Sequence, residues 1–337
     1  MMMLCLSIGL LIWRQAPLER KMMRMKISRQ RINVAVCVGL ASLILTLPSR
    51  AFADGQAKKT PEHKSKAAKN LKQISVTFDD LPVVRVYDSK ERRDITRRIL
   101  DALHERHIKS AGFVIGDNID SDWDILAAWL EDGHVLGNHT NSHQDLHTTE
   151  PELFISDMIT GAKTIESFLA GYGQKKRYFR FPFLHYGETP QVRKRILSLL
   201  KGNHTIVADV SVDTEDYLYN LTMESIRFST DSSTFAQLRK EYLEHIDEAL
   251  SKAEALADYV VHRPVKHIML LHVNRLNAMF LGDLLDAIAA KGYEFISFEE
   301  AIKDPVYRKK DSYYGPNGIS KLERIARSDS KYRPDDL

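Results

Sequence analysis

Ile74-Ser75-Val76-Thr77-Phe78-Asp79-Asp80-Leu81-Pro82 is an apolar, β-branched run that ends on two adjacent carboxylates and a proline. Such a run reads as a buried strand that stops abruptly. Two neighbouring carboxylates at a buried strand end cannot both stay ionised unless something cationic compensates them, and a metal ion or an arginine would do so. Taken alone, Asp79-Asp80 also fits a solvated turn. The rest of the chain decides between the two.

Downstream, strand-like and helix-like segments alternate. Helical spacing runs over 88–106, with a short strand at Ala111-Gly112-Phe113-Val114-Ile115, a helix over 123–130 and a strand-like 134–137. An amphipathic helix over 151–169, a strand over 178–181, a helix over 190–200 and a strand over 205–208 follow. The chain closes with a long helix over 234–259, a strand over 266–271, a helix over 281–290 and a last strand over 293–296. Strands alternating with helices imply a mainly parallel sheet with right-handed crossovers. The fold class is α/β, a single distorted (β/α) barrel of about seven parallel strands rather than two domains.

Upstream, residues 1–53 differ in kind. A basic patch (Arg20, Lys21, Arg24, Lys26, Arg29, Arg31) precedes an apolar run over 32–47, then Pro48-Ser49-Arg50-Ala51-Phe52-Ala53. A charged region, an apolar region and an Ala-x-Ala ending make a secretory signal peptide. The apolar run is shorter than the roughly 20 residues a spanning helix needs, so no stable membrane anchor is expected after cleavage. Residues 54–72 are Lys-rich without apolar period and read as a flexible basic linker. The domain is then 73–303, with a C-terminal extension over 304–337. Both cysteines, Cys5 and Cys37, lie in the leader. The leader holds 8 of the 48 Lys+Arg and 1 of the 45 Asp+Glu, which leaves 40 against 44 and a net −4. The basic balance of the whole chain therefore points to no nucleic-acid partner. Export places the domain in the periplasm or outside the cell.

In a parallel α/β barrel the chemistry gathers at the C-terminal ends of the strands. The polar residues found there are Asp79 and Asp80, His139 and His143, Arg180, Asp213 and Asp216, and His272. His139 and His143, four apart, would share one face of a helical turn and reach one ion. With one carboxylate they form a two-His, one-Asp set that leaves positions for water and substrate, as a catalytic zinc site does; iron is the other metal such a set suits. Among the 13 His, His104, His107, His147, His245 and His262 read as surface residues. Arg180 offers a planar fork to one of the aspartates, or makes an ordinary structural ion pair. Pro182 ends its strand and frees the next backbone N–H, that of Phe183, as an oxyanion donor. His272 follows four apolar residues; a carboxylate such as Asp216 would raise its pKa and make it a general acid.

In order, Thr77-Phe78-Asp79-Asp80, His139-Thr140-Asn141-Ser142-His143, Arg180-Phe181-Pro182-Phe183, Asp213-Thr214-Glu215-Asp216-Tyr217 and Leu270-Leu271-His272 resemble the five motifs of the polysaccharide deacetylases, the NodB-homology domain of carbohydrate esterase family four. The resemblance spans roughly 74–302. It implies that Asp79 is the catalytic base and Asp80, His139 and His143 the ligands of a divalent metal, Zn²⁺ with Co²⁺ or Ni²⁺ as alternatives. It further implies that Arg180 holds the base, Phe183 gives the oxyanion donor, Asp216 keeps His272 protonated and His272 is the acid. Tyr217 stands where the family usually has Trp, which implies a tyrosine wall to the cleft and a different substrate pocket. Residues 304–320 resemble the tail of a bacterial subgroup beginning Phe-Asp-Asp-Leu-Pro, yet the tryptophans expected around 321–325 are absent. Asn118, Trp123 and His185 join Tyr217 as candidate groove residues.

The implied partner is an N-acetylated glycan: peptidoglycan, a chitin-type polymer or an exopolysaccharide. The same site acting on O-acetyl esters or a small non-sugar amide is a second reading, and an inactive glycan-binding scaffold a third. If the leader is processed as read, the exported protein begins at Asp54, and intact mass with N-terminal sequencing of the secreted or periplasmic form shows that start.

Overall fold

The computed structural model describes residues 72–334; the leader and nearly all of the basic linker lie outside the described residues. The elements alternate as the pattern of the sequence predicts. They run β1 (Lys72–Leu81), α1 (Ser89–His104), β2 (Ala111–Val114), α2 (Trp123–Glu131), β3 (Val135–Asn138), α3 (Pro151–Gly171), β4 (Arg177–Phe179), α4 (Pro190–Gly202) and β5 (Thr205–Val207). Then come β6 (Val212–Asp213), α5 (Asp216–Ile226), α6 (Ser232–Val261), β7 (Lys266–His272), α7 (Arg275–Ala290), β8 (Tyr293–Phe295), α8 (Phe298–Ala301) and α9 (Lys321–Ala326). Helix starts follow local chemistry: Asp88, Thr189, Asn274 and Ser320 each cap an exposed backbone N–H of the helix they precede.

The sheet order is β5-β4-β3-β2-β1-β7-β6, with every pair parallel, and it curls into a half-barrel. β8 adds to β1 over Lys72–Ile74, on the edge that β2 takes from Thr77 onward. β1 is thus the central strand, paired to β7 along Gln73–Asp79. Ile74, Val76 and Phe78 are fully buried, and Phe78 packs against the Trp129 ring at 5.5 Å. Each such side chain contributes roughly 1.5–3 kcal/mol on burial. The curl puts Phe113 of β2, Phe179 of β4 and Leu270 of β7 in one core.

The structure departs from the sequence reading in several places. β1 continues through both aspartates to Leu81 instead of stopping at Phe78. It does so through a bulge, three steps on β1 matching two on β2 between Phe78–Leu81 and Gly112–Val114. Residues 180–181 leave the sheet, and Pro182–Leu184 form a 3-10 turn. The helix expected from Leu281 begins at Arg275, and α5 and α9 were not anticipated. Residues 305–332 add Val306, Tyr307, Leu322, Ile325 and Tyr332 to the main core. Among the described residues no helix is long and apolar enough to cross a membrane.

The loop after β3 is pinned to α3 from below. Asn141 N–H donates to the Asp157 carbonyl, Ser142 donates to the Asp157 carboxylate through both N–H and hydroxyl, and Asn138 donates to the Met158 carbonyl. Gly161 makes this approach possible, because a Cβ there would sit 2.5 Å from Asn138 Oδ1 and 2.7 Å from Asn141 N. Gly161→Ala is expected to cost about 1–3 kcal/mol, read from urea melts. Gly171→Ala, on the same helix with nothing within 4 Å of the added methyl, is expected to leave the midpoint within about 0.5 kcal/mol.

Candidate active site

Successive residues of a strand point to opposite faces. The bulge at the end of β1 breaks this rule, since Asp80 takes φ 68° and its carboxylate turns toward the same cluster of groups as that of Asp79. Bulges beside active sites re-aim side chains in this way. The two carboxylates then have different surroundings.

Asp79 is buried and accepts from Arg180 Nη1 at 2.7 Å. Arg180 is fully buried, and it also donates to Thr77 Oγ1 at 2.8 Å and, through Nε, to the Ala208 carbonyl at 3.0 Å. Its guanidinium stands 4.0 Å over the Phe113 ring. Burial raises the Asp79 pKa to about 6, against the lowering pull of Arg180 and His272. Asp80 has no such clamp. Its Oδ1 is buried without a hydrogen-bond partner, 3.3 Å from His143 Nε2 and 3.8 Å from His139 Nε2.

His139 and His143 do not lie on a helical turn, as their spacing suggested. They sit on the loop after β3, where Thr140 (φ 66°) and His143 (φ 55°) are left-handed. Thr140 Oγ1 accepts from the His143 N–H and holds this conformation. His139 Nδ1 lies 2.9 Å from the Arg180 carbonyl, to which it donates, so its Nε2 carries the lone pair. Burial lowers the pKa of both rings, which keeps them neutral at neutral pH. An unpartnered carboxylate oxygen facing two neutral imidazole nitrogens is a donor set that fits a divalent cation. Asp80, His139 and His143 offer atoms within 4.8 Å of one another.

On the neighbouring strand, His272 is the register partner of Asp79. Its Nδ1 is 2.6 Å from Asp216 Oδ1, and its backbone N–H donates to Asp216 Oδ2. Burial lowers its pKa, but the Asp216 carboxylate outweighs this and brings it to about 10. Asp216 opens α5, fully buried, and also accepts from Asn274 Nδ2 at 3.1 Å and Asn277 Nδ2 at 2.7 Å. These two asparagines were missed in the sequence. Their signal was the Asn274-Arg275-Leu276-Asn277 spacing at a helix start, where a capping Asn belongs. Asp213, one strand over, is raised to about 6 by burial and then by Glu215.

Two aromatics border the cluster, both partly exposed. The Phe183 ring lies 4.6 Å from His143, and Tyr217 meets His272 edge-on at 6.0 Å. Of the other groove candidates, Trp123 is engaged with Phe168 at 4.9 Å and the Asn118 carbonyl with Arg92. His185 belongs to a second cluster with Asp145 and His147. His147, read as a surface residue, is half-buried there and stacks on His185 at 3.9 Å, only 6° from parallel. Cofacial rings cannot both aim an in-plane lone pair at one ion, and His185 Nδ1 is already 2.6 Å from Asp145. This cluster is a hydrogen-bonded, stacked brace between two loops.

Residues 66–198 match the family model for polysaccharide deacetylase, a span that holds Asp79, Asp80, His139, His143, Arg180 and Phe183. A peptidoglycan-N-acetylglucosamine deacetylase of Bacillus cereus is 30% identical over 148 residues, 44% of this chain and 47% of that protein. The chain thus spans about half the length of this curated relative or less. A chitin deacetylase of Colletotrichum lindemuthianum is 25% identical over 241 residues, 68% of this chain and 79% of that one. A CE4 family pseudoenzyme from Bacillus anthracis, BA3943, superposes with a TM-score of 0.48 at 18% identity, covering 69% of this chain and 66% of the other. The span matched to the polysaccharide deacetylase model carries the two aspartates, the two histidines and the arginine of the site, and over that span the chain is similar to the polysaccharide deacetylases.

Proposed function

We propose that the protein is an exported, metal-dependent hydrolase that removes N-acetyl groups from an envelope or extracellular polysaccharide (peptidoglycan, a chitin-type polymer or an exopolysaccharide) and releases acetate. The observation that carries this reading is the unpartnered Asp80 Oδ1 facing His139 Nε2 and His143 Nε2, beside a second carboxylate locked to Arg180. A divalent cation held by Asp80, His139 and His143, Zn²⁺ before Co²⁺ or Ni²⁺, would supply Lewis-acid polarisation of the acetamide carbonyl and make water acidic enough to attack.

The chain's own residues do the rest. Asp79 takes the proton of the attacking water through its carboxylate. Arg180 fixes that carboxylate by a 2.7 Å hydrogen bond and leaves the second oxygen, Oδ2, toward His139. The backbone N–H of Phe183 donates to the oxyanion, at a turn where Phe183 (φ 58°) and Leu184 (φ 52°) are both left-handed. His272, kept charged by Asp216, gives its proton to the departing sugar nitrogen. Amine departure needs this proton far more than alkoxide departure does. A charged acid with a buried, fourfold hydrogen-bonded carboxylate behind it supports an amide over an ester substrate. Phe183 and Tyr217, partly exposed beside the cluster, offer ring faces to a pyranose.

Chelator-treated protein is expected to release no acetate from N-acetylated glycans and to recover on refilling with Zn²⁺, Co²⁺ or Ni²⁺. Asp80→Ala should bind no metal at the site by calorimetry and stay inactive; metal-independent release would sink the proposal. Asp79→Asn should lower kcat about 10²–10⁴-fold. The pH profile gives a second check. His272 acts protonated, so activity falls as pH rises through its pKa, about 10 in this setting. Asp216→Asn removes the anion that raises that pKa, and the alkaline limb should move to lower pH by a unit or more. An unmoved limb would separate His272 from the acid role.

A further inference from the structure

The Phe183 turn is strained. Two consecutive non-glycine residues there are left-handed, Phe183 and Leu184. Each such residue costs on the order of 1 kcal/mol and persists only where the surroundings over-determine it. The hydrogen bonds within the turn are Leu184 N–H to the Phe181 carbonyl and His185 N–H to the Pro182 carbonyl, at 3.2 and 3.1 Å. They do not by themselves select this conformation. What presses on the turn from outside is the C-terminal segment. A Cβ on Gly318 would lie 1.8 Å from the Phe183 carbonyl oxygen and 3.3 Å from His185 Cδ2. The backbone of Gly318 is therefore in contact with the peptide that follows the oxyanion donor.

This segment is anchored more firmly than a tail that merely trails over the surface. Arg193 on α4 pairs with Asp311 at 2.7 Å and donates to the Tyr313 carbonyl. Lys321 and Arg324 on α9 pair with Asp311, and Arg324 pairs with Asp209 at 2.6 Å. All five of these side chains are at most 10% exposed. The Arg324 guanidinium lies 3.6 Å over the Tyr186 ring, three residues past Phe183. Lys321 N–H donates to the Val210 carbonyl beside β6. Both flanks of Gly318 are thus tied to elements that frame the site, through buried charges whose loss of a partner would leave an uncompensated charge.

We propose that the segment 311–326 is part of the active site and that Gly318 is a positioning residue, holding the Phe183 peptide so that its N–H meets the developing oxyanion. The proposal rests on the deacetylase reading above. It makes Gly318 act through Phe183, without contact to substrate. A displacement of about 1 Å in a group that stabilises a transition state lowers the rate on the order of 10²-fold.

The test is Gly318→Ala against Gly171→Ala in the metal-loaded protein. Gly318→Ala is expected to lower kcat about 10- to 100-fold with KM within about twofold and unchanged Zn²⁺ affinity. Amide hydrogen exchange at Leu184 and His185 should speed up at least tenfold, while exchange along β1 stays as in the wild type. Gly171→Ala should match the wild type in every readout. Unchanged exchange at Leu184 and His185, or faster exchange with unaltered kcat, overturns the proposal. If Gly318→Ala does not accumulate as folded protein, Asp311→Asn, which loosens the anchor without a clash, carries the same comparison. Wild-type protein that releases no acetate overturns the deacetylase reading instead, and the exchange comparison still decides whether the segment holds the turn.

Discussion

A guanidinium with no access to water sits at the centre of this domain. Arg180 has left the sheet at the end of β4, yet its side chain reaches across to Thr77 and Asp79 on β1, to the Ala208 carbonyl after β5 and to the face of Phe113 on β2. Its own carbonyl accepts from His139. A buried cation left unpaired would cost several kcal/mol, so the strands that supply its partners must close at one spacing. The guanidinium pulls Asp79 toward its ionised form against burial, and the carbonyl of the same residue fixes the tautomer of His139.

The same logic separates two residues that are chemically identical. Asp79 and Asp80 are neighbours in the chain, and a regular strand would send them to opposite faces. The bulge brings them together, and the arginine then treats them differently. One is clamped by a fixed cation, the other is left with an open oxygen among neutral imidazoles. His272 and Asp216 repeat the pattern on the far side, where burial alone would discharge the ring and the carboxylate keeps it charged.

Much of this was legible in the sequence because each group ends a strand-like run. Asp79 after Phe78, Arg180 after Phe179 and His272 after Leu271 are polar residues where an apolar period stops, and the parallel topology carries such ends to one rim. What escaped reading depends on partners remote in the chain. Asn277 matters through Asp216, 61 residues away, and Asp311 through Arg193, 118 residues away. Spacing also misled at His139 and His143. A four-residue interval fits a helical turn, and nothing in the residue types betrays the left-handed Thr140 that replaces it. Tyr217 and Phe183 are placed beside the cluster, whereas Trp123 is engaged with α3.

The central strand is also the first one made. β1 binds β7 through contacts such as Thr77 to the Met269 carbonyl, 192 residues apart, and shares its other edge with β8. Loop closure over such distances must precede the reward of pairing, which makes this topology slow to complete. During synthesis β1 emerges while β7 and β8 are still to be made. β2 to β5 build outward from one edge of β1, while its other edge waits for β7. Until β7 arrives, β1 presents an open strand edge, the place where a chain of this order is most exposed to pairing with another copy.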